Sequence, residues 1–385
     1  MSVIKIIFIK NTSSKKFKKT GVATYQNSML YLFKNNPNFK LIIVDDNFEV
    51  RSKLLNYLFQ SLPASRIIKF LLRYIYLTIQ TKKHVKHADY LFIPTYFRYG
   101  VLAILISSLF KIPFIVPLLG WEEKELRQRK ASKIEIFLKL KYFSLVYRNA
   151  KYILTSEDLM KGYSKIIKNK NKFLVNYFPI DTNRFKPGPK SEILKNQLEL
   201  DNKKVILTAA GLHGVKAEGL KMLIEAFVLI KKEYDNVILL IAGDGPRKKE
   251  LENIAKELNV KDNIRFLGYC GNMPELLNLS DVFTLIYSFG GGMGFATLEA
   301  MACEKPCVIS RTSGTEVLSD GKEVLLVNYD TKDIADKMML LLKDEKYARY
   351  IGINARKRIE KDYSVEKTEE KLVKKLSVEN VFEMT

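Results

Sequence analysis

Residues 289–306 read FGGGMGFATLEAMACEKP, and this stretch contains the residues that best indicate a fold. It follows the apolar run Val282–Ile286, which is typical of a buried strand, and leads into a helix-forming segment, Ala296–Cys303. Glycines between a strand and a helix let the backbone approach a ligand closely and direct free N–H groups at it, most often at a phosphate. Glu299 lies about one turn into this helix, within reach of a neighbouring hydroxyl pair such as a ribose. A glycine cluster by itself more often marks a turn beside a surface glutamate.

The residues after this turn carry a family resemblance. Residues 298–308 read LEAMACEKPCV and resemble the signature of family 4 (group 1) of the retaining glycosyltransferases, which adopt the GT-B fold. In that family two glutamates, with seven residues between them, bracket a Gly-Phe-Gly turn that precedes Glu-Ala-Met-Ala and a Pro-Val strand. Glu299 matches the second glutamate, whereas glycine occupies the position of the first. The resemblance implies a catalytic role for Glu299 and donor contacts from five residues of the turn, Gly291, Gly292, Met293, Gly294 and Phe295.

Strands and helices are predicted to alternate in both halves of the chain, which favours parallel sheets. A length of 385 residues with 47% hydrophobic content is enough for two cores. The resemblance implies an α/β protein of the GT-B fold, with two Rossmann-like domains facing each other across a cleft. We predict an N-terminal domain over residues 1–186, a linker over 187–203 and a nucleotide-sugar-binding domain over 204–355. The helices of residues 356–385 are expected to pack back on the first domain.

Further donor-binding residues of the second domain are implied by the resemblance. Residues 211–219 read GLHGVKAEG after a predicted strand that begins at Lys204 and runs into the turn at Gly211, and the next predicted helix spans Leu220–Ile230. Relatives grip the donor diphosphate with an arginine and a lysine here. Lys216 can serve as the lysine if two residues are inserted before Gly219, and it is assigned a catalytic role. No arginine is present, and His213 is the candidate that replaces it in binding the donor. The list of donor contacts also includes the turn residues Gly211, Gly243, Gly268 and Tyr269, the last two at a turn that holds the nucleotide base in relatives.

The first domain resembles the family less closely. Gly21 opens a helix at the turn that faces the donor diphosphate in relatives, and it is a candidate for close approach. Residues 119–122 read LGWE, where relatives often carry a histidine, a glycine, any residue and an aspartate. Glu122 keeps the acidic group and is a candidate catalytic residue, while Leu119 replaces the histidine.

Positive charge is concentrated in one half of the chain. Residues 1–190 contain 35 lysines and arginines against 11 acidic residues, whereas the remaining residues contain 29 against 31. Such a basic domain fits an anionic membrane surface, an anionic lipid-linked acceptor or a nucleic acid, for which we expect no specific binding. Residues 64–83, apolar and aromatic with cationic flanks, suit either a helix in the lipid headgroup region or a buried helix.

Neither a secretory leader nor a metal site is predicted. The run Val3–Ile9 is too short for a signal peptide and predicts a first strand. Lys111 and Pro113 interrupt the most apolar stretch, Val101–Leu119, which predicts a helix over Val101–Phe110 followed by a strand rather than a membrane span. The three cysteines show no metal-ligand spacing. We therefore expect a cytoplasmic protein, peripheral to the membrane, that uses no metal and no cofactor besides its co-substrate.

The resemblance implies a retaining glycosyltransferase, hexosyltransferase-like and metal-independent. It would move a sugar from a nucleotide-diphosphate sugar to a hydroxyl acceptor, lipid-linked or polysaccharide, in cell-envelope glycan assembly. The glycine at 291, Leu119 and the missing arginine leave a second hypothesis open. In that alternative the chain is a non-catalytic sugar-nucleotide-binding or scaffold homologue in a membrane complex.

Overall fold

The computed structural model describes residues 3–10, 21–45, 65–120, 123, 126–127, 131–175, 178–287, 293–312, 314–315 and 317–382. Within these ranges the chain forms two six-stranded sheets, each covered by helices. The elements of the first unit, in chain order, are β1 (Ile4–Lys10), α1 (Gly21–Lys34), β2 (Phe39–Asp45), α2 (Ser65–Val85), β3 (Tyr90–Phe92), α3 (Tyr96–Phe110), β4 (Phe114–Pro117), α4 (Lys133–Asn149), β5 (Tyr152–Thr155), α5 (Glu157–Tyr163) and β6 (Phe173–Val175).

The second unit has the same alternation. Its elements are α6 (Glu192–Gln197), β7 (Lys204–Ala209), α7 (Gly214–Glu233), β8 (Val237–Ala242), α8 (Lys248–Glu257), β9 (Ile264–Gly268), α9 (Met273–Leu279), β10 (Val282–Leu285), α10 (Phe295–Ala302), β11 (Cys307–Ser310), β12 (Leu325–Val327), α11 (Thr331–Lys343), α12 (Glu345–Asp362) and α13 (Val365–Phe382).

Both sheets are parallel, and their central strands are buried on both faces. Strand β8, for example, is six consecutive buried residues, VILLIA, because helices cover each side of a doubly wound sheet. Side chains alternate between the faces along β7. Ile206 points to the layer that contains Phe227 of α7, whereas Leu207 points to the layer that contains Met301 of α10. Each sheet therefore lies between two hydrophobic cores.

Strand order places a crevice in each sheet. The first sheet runs β2-β1-β3-β4-β5-β6 and the second runs β12-β11-β10-β7-β8-β9. The order reverses between β1 and β3 in the first sheet and between β7 and β10 in the second. Open parallel sheets bind ligands at the carboxyl ends of the strands beside such a reversal. Helices α7 and α10, which follow β7 and β10, therefore begin at the expected ligand position.

The chain passes between the two units at two adjacent places. Ile180, on the way out of the first unit, donates its N–H to the Tyr363 carbonyl at 2.8 Å, and Val365 donates to the Ile180 carbonyl at 3.1 Å. Helix α13 then lies on the first unit, where Leu372 and Leu376 are buried in a core cluster with strand β1. The final helix thus ties the end of the described chain to the first sheet.

Two helices begin earlier than the sequence indicates, and the same physical cause applies to both. Helix α3 begins at Tyr96 rather than Val101, and α7 begins at Gly214 rather than Leu220. Interior glycines lower helix propensity by about 1 kcal/mol each, which hides these first turns from a propensity argument. Both glycines lie at close helix contacts: a Cβ on Gly100 would lie 2.4 Å from Val146, and one on Gly219 would lie 1.8 Å from the Ile286 carbonyl oxygen.

We expect Gly219→Ala to destabilise the protein by at least about 2 kcal/mol, although alanine is the better helix former, since the added methyl group displaces α7 from the backbone of Ile286. Urea denaturation measures this change. The control is Gly271→Ala, because a Cβ at Gly271 meets no atom within 4 Å. Equal stability of the Gly219 variant and the wild type would contradict the packing of α7 against β10.

No helix in the described ranges is both long enough and apolar enough to span a bilayer.

Candidate active site

Three loops at the carboxyl edge of the second sheet are joined by backbone hydrogen bonds. Ala210, after β7, donates to the Ala242 carbonyl at 3.0 Å, and Leu212 donates to the Asp244 carbonyl at 3.0 Å. Gly243, after β8, donates to the Gly268 carbonyl at 2.7 Å. These bonds fix the loops after β7, β8 and β9 relative to one another.

Glycine is required where these loops touch. Gly243 has φ +146°, and a Cβ there would lie 1.8 Å from the Ala210 carbonyl oxygen. A Cβ on Gly245 would lie 2.4 Å from the Leu212 carbonyl oxygen. The two predicted donor contacts Gly243 and Gly268 differ in how closely they are packed. Gly243 is packed against the β7 loop, whereas the Cβ position of Gly268, which has φ +67°, has no atom within 4 Å and faces open space. Tyr269 beside it is 52% exposed.

The start of α7 carries the two predicted cationic residues. His213 is the N-cap residue, with extended backbone, and its imidazole lies over Gly211, whose Cβ position is 2.7 Å from the ring Nε2. Lys216 lies in the first turn of the helix rather than in the preceding loop, as a consequence of the earlier helix start. The N-terminus of a helix carries about half a positive charge and unpaired N–H groups. Lys216 therefore adds a full charge where the helix is already positive.

A guanidinium also lies near this helix start, but two carboxylates hold it. Arg247 donates to Glu218 of α7, and its Nε donates to Glu250 of α8 at 2.7 Å. Its backbone N–H donates to the Leu212 carbonyl at 3.2 Å. Arg247 thus fixes the first turns of two neighbouring helices, a role that the residue pattern does not reveal.

The second half of the site is the beginning of α10. Gly294 is the N-cap residue with φ +68°, a left-handed conformation that favours glycine, and its Cβ position lies 3.1 Å from Leu285. Met293 is buried, and Phe295 is half-buried in the first turn. Gly291 and Gly292 lie outside the described residues, as does Glu122 of the first unit.

Glu299 lies one turn further along α10 and is half-buried. Burial raises its pKa to about 7, against the opposing effect of the Arg184 charge. A carboxyl group removed from water in this way accepts a hydrogen bond from a hydroxyl more strongly than an exposed one. Arg184 comes from the segment that leaves the first unit, so both units contribute to the environment of Glu299.

Aromatic rings join the two units beside this helix. The ring centroid of Phe295 lies 5.9 Å from that of Tyr25 on α1 and 5.7 Å from that of Phe178. Gly21, the predicted donor contact of the first unit, begins α1 one turn before Tyr25. Leu119 packs against the same core cluster. The position where relatives often carry a histidine is thus part of an apolar contact between the units.

The structure therefore brings together Gly211, His213 and Lys216 at one helix start, and Met293, Gly294, Phe295 and Glu299 at the other. Gly268 and Tyr269 lie at the end of β9, two strands from β7. Tyr25, Phe178 and Arg184 are the neighbours that the sequence did not single out. They lie far from the glycine turn in sequence, and only the folded chain brings them next to it.

Known structures share this architecture. A structure of Anabaena Alr3699/HepE in complex with UDP-glucose superposes with a TM-score of 0.75 at 18% identity, over 97% of this chain and 100% of the other. Sucrose-phosphate synthase from Thermosynechococcus elongatus superposes with a TM-score of 0.70 at 16% identity, over 99% and 100%. The two parallel-sheet units with their cleft define the class of GT-B proteins, as the sequence predicted.

Sequence comparison relates the second unit to a known family. Residues 190–358 match the sequence model of the glycosyl transferases group 1. The chain is 30% identical to the N-acetyl-alpha-D-glucosaminyl L-malate synthase of Bacillus anthracis over 214 residues, 55% of each chain. It is 24% identical to the UDP-Gal:alpha-D-GlcNAc-diphosphoundecaprenol alpha-1,3-galactosyltransferase of Escherichia coli over 282 residues, 71% of each chain. The chain spans about half the length of the first of these relatives.

Proposed function

We propose that the protein transfers a sugar from a nucleotide-diphosphate sugar to a hydroxyl acceptor, with retention of the anomeric configuration. One observation carries the proposal: α7 and α10 begin at the carboxyl ends of the adjacent strands β7 and β10, where the strand order of the second sheet reverses. Lys216 lies on the first turn of α7, and Glu299 lies one turn into α10. A diphosphate bound at these helix starts would meet N–H groups, helix dipoles and the Lys216 charge. Glu299 would then be close enough to accept hydrogen bonds from the ribose hydroxyls of the donor.

The proposed reaction depends on stabilisation of the leaving diphosphate. As the bond between the sugar C1 and the diphosphate oxygen breaks, negative charge develops on the diphosphate, and the two helix starts and Lys216 stabilise it. The acceptor hydroxyl oxygen forms the new bond to C1 on the same face, and its proton passes to the departing phosphate oxygen. These groups supply positive charge without a metal ion, so we propose a metal-independent reaction that uses no further cofactor.

The sugar itself would be held differently from the family pattern. Glycine replaces the first glutamate at position 291, and Leu119 replaces the histidine, so neither side chain is present to bind sugar hydroxyls. We propose that backbone N–H groups of the glycine turn ending at Gly294 make these contacts, with Glu122 as a further acidic group from the first unit.

The acceptor is proposed to be lipid-linked, on the cytoplasmic face of a membrane. Two relatives support this choice by their names, the E. coli enzyme that acts on a diphosphoundecaprenol sugar and an N-acetylgalactosaminyltransferase of Campylobacter jejuni with a diphospho-undecaprenol substrate. The excess positive charge of residues 1–190 would attract the diphosphate of such an acceptor and an anionic membrane. No specific nucleic acid is expected as a partner.

A panel of nucleotide sugars tests the proposal. We expect one donor to raise the melting temperature of the protein, because a ligand that binds only the folded state stabilises it. The same donor should then support transfer to a polyprenyl-diphosphate sugar, in the presence of EDTA, with retention seen by NMR of the product. Stabilisation without turnover would show the non-catalytic nucleotide-sugar-binding homologue. Failure of every donor to bind would overturn the proposal.

A further inference from the structure

Helix α4 has apolar residues on two opposite faces. Phe143, Val146 and Tyr147 are fully buried against the first sheet. On the outward face, at helical spacing, lie four residues whose exposed fractions range from 51% to 72%, namely Ile134, Phe137, Leu138 and Leu145. A helix on the surface of a globular protein normally directs polar residues outward. No element among the described residues covers the outward face of α4, although its apolar composition is typical of a buried face.

Helix α3, the direct neighbour of α4, continues this apolar surface. Gly100 of α3 lets the helices approach closely, and the Tyr142 hydroxyl of α4 donates to the Tyr96 carbonyl at 2.9 Å. Every fourth residue along the outer side of α3 is apolar and exposed by 39% to 66%: Phe97, Val101, Leu105 and Leu109. We call these eight side chains of α3 and α4 the apolar face. On the adjacent α2, Ile75 and Ile79 are also more than half exposed.

The helices that carry the apolar face are almost devoid of negative charge. Helices α3 and α4 contain five lysines and arginines and a single acidic residue, Glu135, which pairs with Lys139 at 3.2 Å. The adjacent α2 contains five more lysines and arginines and no acidic residue. Lys141 lies in the outward stripe itself, 5.5 Å from the centroid of the Phe137 ring. Apolar side chains interspersed with cations match the boundary between the headgroups and acyl chains of an anionic bilayer.

A cationic cavity lies at the far end of the same stripe. It has a volume of about 290 Å³ and is lined by Arg148, Ile167, Lys168, Asn169 and Lys172. Lys172 is held in place by the carbonyls of Arg148 and Ala150, at 2.6 and 2.8 Å. Arg148 follows Leu145 by one turn on the outward side of α4. The cavity therefore places positive charge beside the apolar face.

We propose that the apolar face is a membrane-docking surface that inserts into the headgroup region of an anionic bilayer. A second copy of this chain fits less well, because two such faces would bring like charges together. Crossover helices run antiparallel to the strands, so α3 and α4 begin at the carboxyl edge of the first sheet, next to the cleft. A protein docked on this face holds the cleft at the membrane. In that respect the inference rests on the proposed function, since a lipid-linked acceptor would then enter the cleft without leaving the bilayer.

Vesicle co-sedimentation of the full chain tests the surface. We expect binding to phosphatidylcholine vesicles that contain about 30% phosphatidylglycerol, and little binding to phosphatidylcholine alone or in about 0.5 M NaCl. The triple variant Ile134→Ser, Phe137→Ser, Leu138→Ser should bind at least about tenfold more weakly, because three exposed apolar side chains no longer enter the bilayer. All three side chains are exposed, so the fold should persist, as circular dichroism would show.

Control variants distinguish the contribution of the apolar side chains to vesicle binding from that of the positive charges. Ile193→Ser removes an equally exposed apolar residue from α6, next to the second sheet, and should bind like the wild type. Lys133→Gln with Lys141→Gln should weaken binding to anionic vesicles, whereas Lys256→Gln with Lys261→Gln should not. Nucleotide-sugar binding by the triple variant, measured by thermal shift, should equal that of the wild type, so failure of the docking surface and failure of the proposed function are distinguishable.

Two results would overturn the proposal. One is equal vesicle binding by the triple variant and the wild type. The other is an oligomer of the wild type in sedimentation velocity that the triple variant abolishes, which would assign the apolar face to contact between copies.

Discussion

Glu299→Ala is expected to lower kcat/KM for sugar transfer at least about 100-fold. The physical reason is the position of the carboxylate: it lies half-buried one turn into α10, where it can accept hydrogen bonds from a hydroxyl pair of the donor. A hydrogen bond to a charged group contributes about 1.5–3 kcal/mol, and each 1.4 kcal/mol changes the rate tenfold. Steady-state kinetics with the donor identified by thermal shift measures the loss. Glu257→Gln, at an exposed position on α8, serves as the control and should retain full activity.

Stability measurements on the Glu299 variants show whether a loss of sugar transfer comes from a folding defect. Burial raises the pKa of Glu299 to about 7, above the value of 4.5 for an exposed glutamate. Between these values the folded state binds the proton more tightly than the unfolded state, so the stability of the wild type falls as pH rises toward 7. At pH 8 the ionised carboxylate therefore lowers the free energy of unfolding of the unliganded protein. Glu299→Gln should be at least as stable as the wild type at pH 8, and any gain should vanish below pH 4.5. Wild-type turnover by Glu299→Ala would contradict the assigned site.

Lys216→Gln is expected to lower kcat/KM about 100-fold and to weaken binding of the free nucleoside diphosphate. Lys216 lies in the first turn of α7, where its charge adds to that of the helix start. Removing one group that stabilises a developing oxyanion typically costs about 10²–10³ in rate. Isothermal titration with the nucleoside diphosphate, together with kinetics, separates ground-state binding from transition-state stabilisation.

Two further variants make this test specific. Lys221→Gln removes a charge from an exposed position on the same helix and should change kcat/KM less than about twofold. Lys216→Arg keeps the charge and should recover part of the lost activity. If Lys221→Gln reduced activity as much as Lys216→Gln, the effect would come from the overall field of the protein, and Lys216 would lose its assigned role.

The strands and the class of fold could be predicted from the sequence. The runs 204–209 and 237–242 match β7 and β8, because a strand buried on both faces is apolar at nearly every position. The glycine turn and the residues after it likewise indicated a family that the match of residues 190–358 confirms. These features are local, and neighbouring residues suffice to specify them.

The helix starts could not be predicted in the same way. The first turn of α7 contains Gly214, and Gly219 follows it, so propensity alone delays the predicted start to Leu220. The helix forms there because Gly219 permits contact with the backbone of Ile286, sixty-seven residues away in the chain. The consequence for the site is direct: Lys216 lies in a helix and not in a loop.

By itself, the sequence determined the alternation of elements, the glycine turn and the identity of the charged residues that we propose as the diphosphate site. Only the tertiary structure decided which of them share a site, because strand order, which no local pattern encodes, makes β7 and β10 neighbours, so that α7 and α10 begin at the same edge of the sheet. It also decided that α3 and α4 direct apolar residues away from the core. Apolar periodicity shows that a helix has a hydrophobic stripe. Whether that stripe is buried depends on which elements of the folded chain pack against each side of the helix.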